Sequence, residues 1–192
     1  MYGKYRTFIG VPLQVNPRFL RLRKELMELL ADERISWVDP SRYHITLRFL
    51  GDTKTSEVQR IANALGGSVV VPAKQSLQLD RLGYFGGRRQ PRVLWVGFSN
   101  PTLFEVLKRM TENALETCDI QGDKKPFRPH LTLGRIRSRV NLSTFHACMN
   151  KMEDRFREEV FVDRLVFYRS EPGPGGAVHT PLFRMDFRDQ DL

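Results

Sequence analysis

Ser41-Arg42-Tyr43-His44-Ile45-Thr46-Leu47-Arg48-Phe49-Leu50-Gly51-Asp52 has a partner later in the chain, Pro129-His130-Leu131-Thr132-Leu133-Gly134-Arg135-Ile136. Each carries His-x-Thr-Leu inside an apolar run with Gly near its end, which is the composition of a strand rather than of a helix. Side chains alternate faces along a strand, so His44 and Thr46 point the same way, as do His130 and Thr132. An imidazole beside a hydroxyl is an acid/base group next to an oxyanion donor. Two such pairs facing each other across a cleft provide a general acid, a general base and two hydroxyl donors for one phosphate, with no metal needed. One copy alone would carry little weight, because a histidine on a half-buried strand is more often structural than catalytic.

What raises the pair is an internal repeat. His44 recurs as His130 at an offset of 86, Asn16-Pro17 as Asn100-Pro101 at 84, and Asp80-Arg81-Leu82 as Asp163-Arg164-Leu165 at 83. Three landmarks keep their order and nearly their spacing. The sequence therefore predicts two similar halves, each contributing one His-x-Thr strand, with a pseudo-twofold axis setting those strands about a shared cleft.

Composition bounds the answer. With 192 residues, 41% hydrophobic and 28% charged, the chain is long enough for a sizeable core and short enough for one unit with two lobes. The 31 Lys+Arg against 22 Asp+Glu give a formal charge of +9, which favours polyanionic partners such as RNA over a merely solvated basic surface only weakly. No apolar run approaches the roughly 18 residues of a membrane span, and the opening Met1 to Arg6 lacks a signal-peptide core, so a cytoplasmic location and no membrane partner are expected. Cys118 and Cys148 have no C-x-x-C spacing and read as packed free thiols.

In chain order, 6–13 reads as a first strand, with Gly10 marking a bulge or a close approach. Asn16 caps a helix with Pro17 in its first turn, and Phe19, Leu22, Leu26, Leu29 and Leu30 form its buried stripe. The first His-x-Thr strand comes next; then a short helix is expected from a cap at Ser56 to a close at Gly66-Gly67, and a strand over 76–82. Gly83 to Arg92 reads as a flexible linker between halves. The second half repeats the order: a strand over 93–98, a helix from Asn100-Pro101, the second His-x-Thr strand, a helix over about 142–156, and a strand over 160–168. A Gly/Pro-rich turn at 170–176 then returns the chain as a hairpin strand over 177–187.

His44-Ile-Thr-Leu-Arg-Phe-Leu-Gly51 and His130-Leu-Thr-Leu-Gly-Arg135, with the opening Arg6-Thr-Phe-Ile-Gly-Val-Pro-Leu13 and the closing Leu165-Val-Phe-Tyr-Arg-Ser170, resemble the two-histidine phosphoesterase superfamily. Within it the chain is most similar to the RNA 2′,3′-cyclic 3′-phosphodiesterases, once described as 2′-5′ RNA ligases. The resemblance spans nearly the whole chain. It implies an α+β, bilobal fold of two pseudo-symmetric β-α-β-α-β halves, with antiparallel sheets lining a central cleft and helices outside. Residues 1–192 would form one domain, with lobes of roughly 1–83 and 84–192 between which strands can swap.

The resemblance also implies hydrolysis of RNA ends or nucleotides bearing a 2′,3′-cyclic phosphate to a 2′-phosphate, with weak reverse 2′-5′ ligation, by a monomer using neither metal nor cofactor. By similarity to the family, His44 is the proton donor and His130 the proton acceptor, an order that the residues themselves leave open. Thr46 and Thr132 would bind the phosphate. Arg48 shares the parity of His44 and would join them, a solvated strand-end arginine being the alternative. Phe49 and Arg135, each five residues after its histidine, would flank the terminal nucleobase, although strict alternation aims them away and a bend is needed. His146 and His179 read as structural or exposed. The clusters Arg88-Arg89-Arg92, Lys124-Lys125-Arg128 and Arg135-Arg137-Arg139 sit where they could track an RNA backbone. Two alternatives to the RNA-end enzyme are a non-catalytic RNA-binding module and a phosphodiesterase for a small cyclic nucleotide. Matched His and Thr in both copies favour an enzyme, since a binder needs no paired acid and base.

Overall fold

The computed structural model describes residues 3–123, 125–173 and 176–189. The chain runs β1 (Lys4–Pro12), β2 (Gln14–Val15), α1 (Pro17–Leu29), β3 (Ile35–Trp37), β4 (His44–Lys54), α2 (Val58–Ser68) and β5 (Gln75–Gly87). It continues as β6 (Gln90–Phe98), α3 (Thr102–Glu116), β7 (Leu131–Ile136), α4 (Leu142–Met152), β8 (Glu159–Val162), β9 (Arg164–Glu171) and β10 (Val178–Asp186). This is an α+β fold with two antiparallel sheets, one ordered β10-β9-β1-β4 and the other β2-β8-β5-β6-β7-β3.

Local chemistry explains the helices. The Asn16 side chain accepts the Phe19 N–H at 2.8 Å, Pro17 fills the first turn, and Phe19, Leu22 and Leu26 are buried. Burying each such side chain stabilises the fold by about 1.5–3 kcal/mol. Asn100, at the matching repeat position, accepts the Thr102 N–H at 3.0 Å ahead of α3. Helix α2 departs from the expected boundaries. A 3₁₀ turn at Thr55–Glu57 leads into it, with the Glu57 carboxylate, not Ser56, accepting the Lys54 N–H. Gly66 and Gly67 do not end α2 but lie inside its last turn. A Cβ on Gly66 would stand 3.4 Å from the Phe183 ring of β10, so the glycine permits close packing of helix on sheet. The expected helix over 142–156 is α4 followed by a 3₁₀ turn at Glu153–Phe156.

Two expectations about connections are corrected. Gly83 to Arg92 is not a flexible linker: β5 and β6 form a hairpin whose register runs from Leu79↔Phe98 to Gly87↔Gln90, with Arg88-Arg89 as its tip. Gly86, at φ +104, supplies the left-handed backbone next to that tip. The expected strand over 160–168 is two strands in different sheets, β8 beside β5 and β9 beside β1, and the chain crosses between them at Asp163. It also crosses at Leu13, from β1 into β2, and Gln14 Nε2 donates to Asp163 Oδ2 at 3.1 Å to tie the two crossings together. Asp80, the repeat mate of Asp163, likewise sits where β5 leaves β8 and takes up β6.

Sequence halves and sheets therefore do not coincide. The third strand of each half, β5 or β9, lies in the sheet built around the other half's His-x-Thr strand. Helices follow the same exchange, α3 packing with α2 outside β4, and α1 packing with α4 and the turn at Glu153–Phe156 outside β5. The inner face of each sheet is left for the cleft.

Candidate active site

Along β4 and the residue that leads into it, Tyr43, Ile45 and Leu47 are 2%, 1% and 2% exposed and enter the core, while His44 and Thr46 occupy the opposite, half-buried face. Leu131 and Leu133 are buried in the same way beside His130 and Thr132. The apolar positions of the repeated motif thus fasten each strand and present the polar positions to the cleft.

Both imidazoles are held by one device. His44 Nδ1–H donates to the Arg42 carbonyl at 2.8 Å, and His130 Nδ1–H donates to the Arg128 carbonyl at 2.6 Å, each acceptor lying two residues upstream. A carbonyl only accepts, so in each ring the neutral tautomer carries its proton on Nδ1 and leaves the Nε2 lone pair free. The Arg42 carbonyl is placed by the 3₁₀ turn Pro40–Arg42, which Asp39 caps through the Ser41 N–H at 2.9 Å and hydroxyl at 2.6 Å. Those two bonds hold the Asp39 carboxyl below its ordinary range.

Each ring also has an aromatic wall. Phe8 lies 4.9 Å from His44 between centroids, His179 5.2 Å edge-on, and Tyr168 6.5 Å. Phe85 meets His130 edge-on at 4.7 Å, with Trp95 at 6.4 Å. Burial pushes the His44 pKa down to about 4, with His179, His130 and Arg135 adding smaller repulsions. Burial also lowers His130, with Arg135 adding to it, so both histidines share the field of one arginine. Gly10 makes room for this packing: a Cβ there would stand 2.8 Å from the Ile45 carbonyl oxygen and 3.5 Å from His44 Cδ2.

Beyond the threonines the alternation breaks, in both copies and at the same place. Gly10 pairs with Thr46 and Ile9 with Arg48, leaving Leu47 as an extra residue; Trp95 pairs with Thr132 and Leu94 with Gly134, leaving Leu133 as its counterpart. Such a bulge reverses the parity of the residues downstream. Phe49 is consequently on the cleft side, 59% exposed and 5.8 Å from Phe8, and Arg135 pairs with Val93 as an exposed residue. Arg48 goes the other way, which corrects its expected place beside the phosphate. Its guanidinium reaches α3 and the loop after it, donating to Glu112 Oε1 at 3.3 Å and to the Gln121 carbonyl at 2.5 Å, with Asp123 at 3.8 Å. Its side chain is 11% exposed.

The structure thus brings together His44, Thr46, His130, Thr132, Phe49 and Arg135, and does not bring Arg48. It adds Phe8, Tyr168, His179, Phe85 and Trp95, which sequence reasoning missed. His179 in particular is no bystander in the terminal hairpin, since it packs on His44. A signal for two of these residues was present: Asp80-Arg-Leu-Gly-Tyr-Phe85 and Asp163-Arg-Leu-Val-Phe-Tyr168 both place an aromatic five residues after the repeated aspartate. His146 is apart, its Nε2–H donating to the Arg88 carbonyl at 3.1 Å. Lys124 of the basic clusters lies outside the described residues. Among the described residues no three His, Cys, Asp or Glu side chains gather as a metal-ligand set, and no helix is long and apolar enough to cross a membrane.

A family model described as LigT like Phosphoesterase matches residues 9–95, from β1 through the first histidine to Trp95. An RNA 2′,3′-cyclic phosphodiesterase of Bacillus subtilis is 31% identical over 131 residues, covering 67% of this chain and 69% of that protein. The chain belongs to the LigT-like phosphoesterases. Proteins of the same name from Methanothermobacter thermautotrophicus and Thermotoga maritima are 26% and 28% identical, and the alignments cover 93% and 95% of this chain and 97% and 95% of theirs. Among solved structures, TT0787 of Thermus thermophilus matches with TM-score 0.68 at 27% identity, over 97% of this chain and all of that one. Escherichia coli LigT complexed with 3′-AMP shares the fold, with TM-score 0.70 at 23% identity over 96% and 98%.

Proposed function

We propose that this LigT-like phosphoesterase hydrolyses RNA 2′,3′-cyclic phosphate ends to 2′-phosphates by metal-independent acid–base catalysis at His44 and His130. The observation that carries the reading is the matched anchoring of the two imidazoles. Each gives Nδ1–H to a main-chain carbonyl and keeps Nε2 for the cleft, where Thr46 and Thr132 stand on the same strand faces. The names borne by the relatives point the same way.

In the reaction His130 Nε2 takes a proton from water as its oxygen attacks phosphorus. The P–O3′ bond breaks opposite, and His44 Nε2–H gives its proton to O3′, so the product keeps the phosphate on O2′. The threonine hydroxyls donate to the non-bridging oxygens, where charge gathers in the transition state. Phe49 and Arg135 flank the terminal base. A terminal 5′-hydroxyl attacking in place of water gives a 2′-5′ linkage by the same proton transfers, and the abundance of water makes this ligation the minor outcome.

One observation favours the opposite division of labour. Burial lowers the His44 pKa to about 4, which favours the neutral ring that a general base requires. Both arrangements are separated by one assay. Purified protein in EDTA is given an oligonucleotide ending in 2′,3′-cyclic phosphate, the product is identified, and a substrate with a much better 3′ leaving group is then tried on each histidine variant. Rescue of His44→Ala assigns the acid to His44, rescue of His130→Ala reverses it, and no turnover in EDTA that returns with a divalent ion overturns metal independence.

A further inference from the structure

A groove of about 450 Å³ lies along the free edge of β5, away from the two histidines but sharing a wall with their cleft. β8 pairs with β5 only along Gln75–Gln78, and β6 takes the opposite edge, so from Arg81 to Tyr84 one side of β5 has no strand neighbour among the described residues. Helix α4 faces that edge with His146 and Asn150. The shared wall is Trp95. A Cβ on Gly83 would stand 2.5 Å from its indole, so only glycine lets the ring lie against β5, and the same ring lies 6.4 Å from His130.

We infer that this groove is a subsite for the RNA chain on the 5′ side of the cyclic phosphate, holding the nucleotide next to the terminal one. The inference rests on the reading under Proposed function and extends it from the reacting group to the chain that bears it. The volume falls in the range of small-ligand sites, about 300–1,000 Å³. An aromatic floor, two arginines and polar side chains are what a single-stranded nucleotide requires: a face to stack on, cations for the phosphodiester, and partners for the base edge. Arg81 is 61% exposed, and its ion pairs to Asp80 and Glu153 are long, at 3.9 Å each, so a phosphate displaces them at small cost. Arg88 is held at the rim because His146 Nε2–H donates to its carbonyl. The Trp95 indole N–H is buried with no hydrogen-bond partner among the described residues, so the ring contributes to the groove through its face and edge rather than through a bond already made. An extended peptide could pair with the same edge, but two arginines and a wall in common with a phosphate-handling cleft favour RNA.

The test compares a cyclic mononucleotide with a dinucleotide ending in the same cyclic phosphate. Wild type is expected to show kcat/KM roughly tenfold higher for the dinucleotide, the scale of one stacked base. Asn150→Trp, which fills the groove from an exposed helix position, and Arg81→Glu should remove that gain while Tm shifts by no more than about 4 °C and the mononucleotide rate stays within about twofold. A dinucleotide gain of equal size in both variants, or none in wild type, overturns the subsite. The groove is read independently of turnover by titrating a dinucleotide 2′-phosphate and following tryptophan fluorescence. Affinity about tenfold above that of the mononucleotide 2′-phosphate, lost in Arg81→Glu, supports the subsite even in a protein that hydrolyses neither substrate, and equal affinities refute it.

Discussion

An imidazole whose Nδ1–H is given to a main-chain carbonyl has one nitrogen left for chemistry, and a fixed direction in which to use it. If His44 and His130 transfer protons in one step, His44→Ala and His130→Ala should each lower kcat by roughly 10²–10⁴-fold. The double variant should lose far less than the product of the two factors, because groups acting as a unit are not additive. Near-normal activity in either single variant would remove that histidine from the mechanism. The same burial that tunes His44 has a consequence for stability. Its folded pKa of about 4 lies below its ordinary 6.5, so between those values the unfolded chain binds more protons than the folded one. Stability is therefore full above pH 6.5 and falls as the pH drops toward 4, with His130 and His179, lowered for the same reason, acting in the same direction. His44 accounts for at most about 3 kcal/mol of this, less to the extent that its half-buried ring keeps some solvent. Urea unfolding at about pH 7.5 and about pH 4.5 measures it, and His44→Gln should flatten the difference; an unchanged slope would mean that burial does not hold the ring neutral.

Strands and helices were legible from periodicity and caps, because the Leu/Ile/Val positions of 43–47 and 131–133 and the asparagines at 16 and 100 act within a few residues of themselves. The bulges at Leu47 and Leu133 were not. A bulge is a property of a strand and its partner together, and nothing in Thr-Leu-Arg-Phe announces that Ile9 and Gly10 will oppose three residues rather than two. That single insertion decides the fate of both uncertain site residues, carrying Phe49 into the cleft and Arg48 out of it. Arg48 then belongs to a charge network with Glu112, Lys108 and Asp123 that ties β4 to α3 and to the loop before His130. Arg48→Met should therefore act on stability, lowering it by about 2 kcal/mol or more in denaturant titration, since Glu112 is left with Lys108 alone in a buried place. A loss of kcat at full stability would instead return Arg48 to the phosphate. Gly10 lies opposite the bulge, on β1, and Gly10→Val should lower kcat at least roughly tenfold while most of the protein stays folded at assay temperature, by pressing on the Ile45 carbonyl and the His44 ring.

At the scale of the whole molecule the repeat was visible in the sequence and the resemblance allowed strands to swap between lobes, but that β5 and β9 are the strands exchanged was not, because each half reads the same whichever sheet its last strand joins. The exchange matters for function: it sets Phe85 against His130 and Tyr168 near His44, so each half of the sequence walls the other half's histidine. It also turns the supposed linker into a hairpin whose tip carries Arg88 and Arg89, and brings the Arg81 edge beside Trp95. With a formal charge of +9, the molecule should attract RNA through contacts that a mononucleotide is too short to reach. Each phosphate neutralised by a Lys or Arg of a single-stranded ligand steepens the dependence of log K on log salt by about 0.7. The KM of an oligonucleotide ending in 2′,3′-cyclic phosphate should accordingly rise with salt by two or more such steps beyond that of the cyclic mononucleotide, which carries a single phosphate. Replacing Arg88 and Arg89 together by glutamine should remove about two steps and leave the mononucleotide curve where it was. Parallel salt curves for the two substrates in wild type would show that the basic turn and groove never touch the chain, and that the charge serves only solubility.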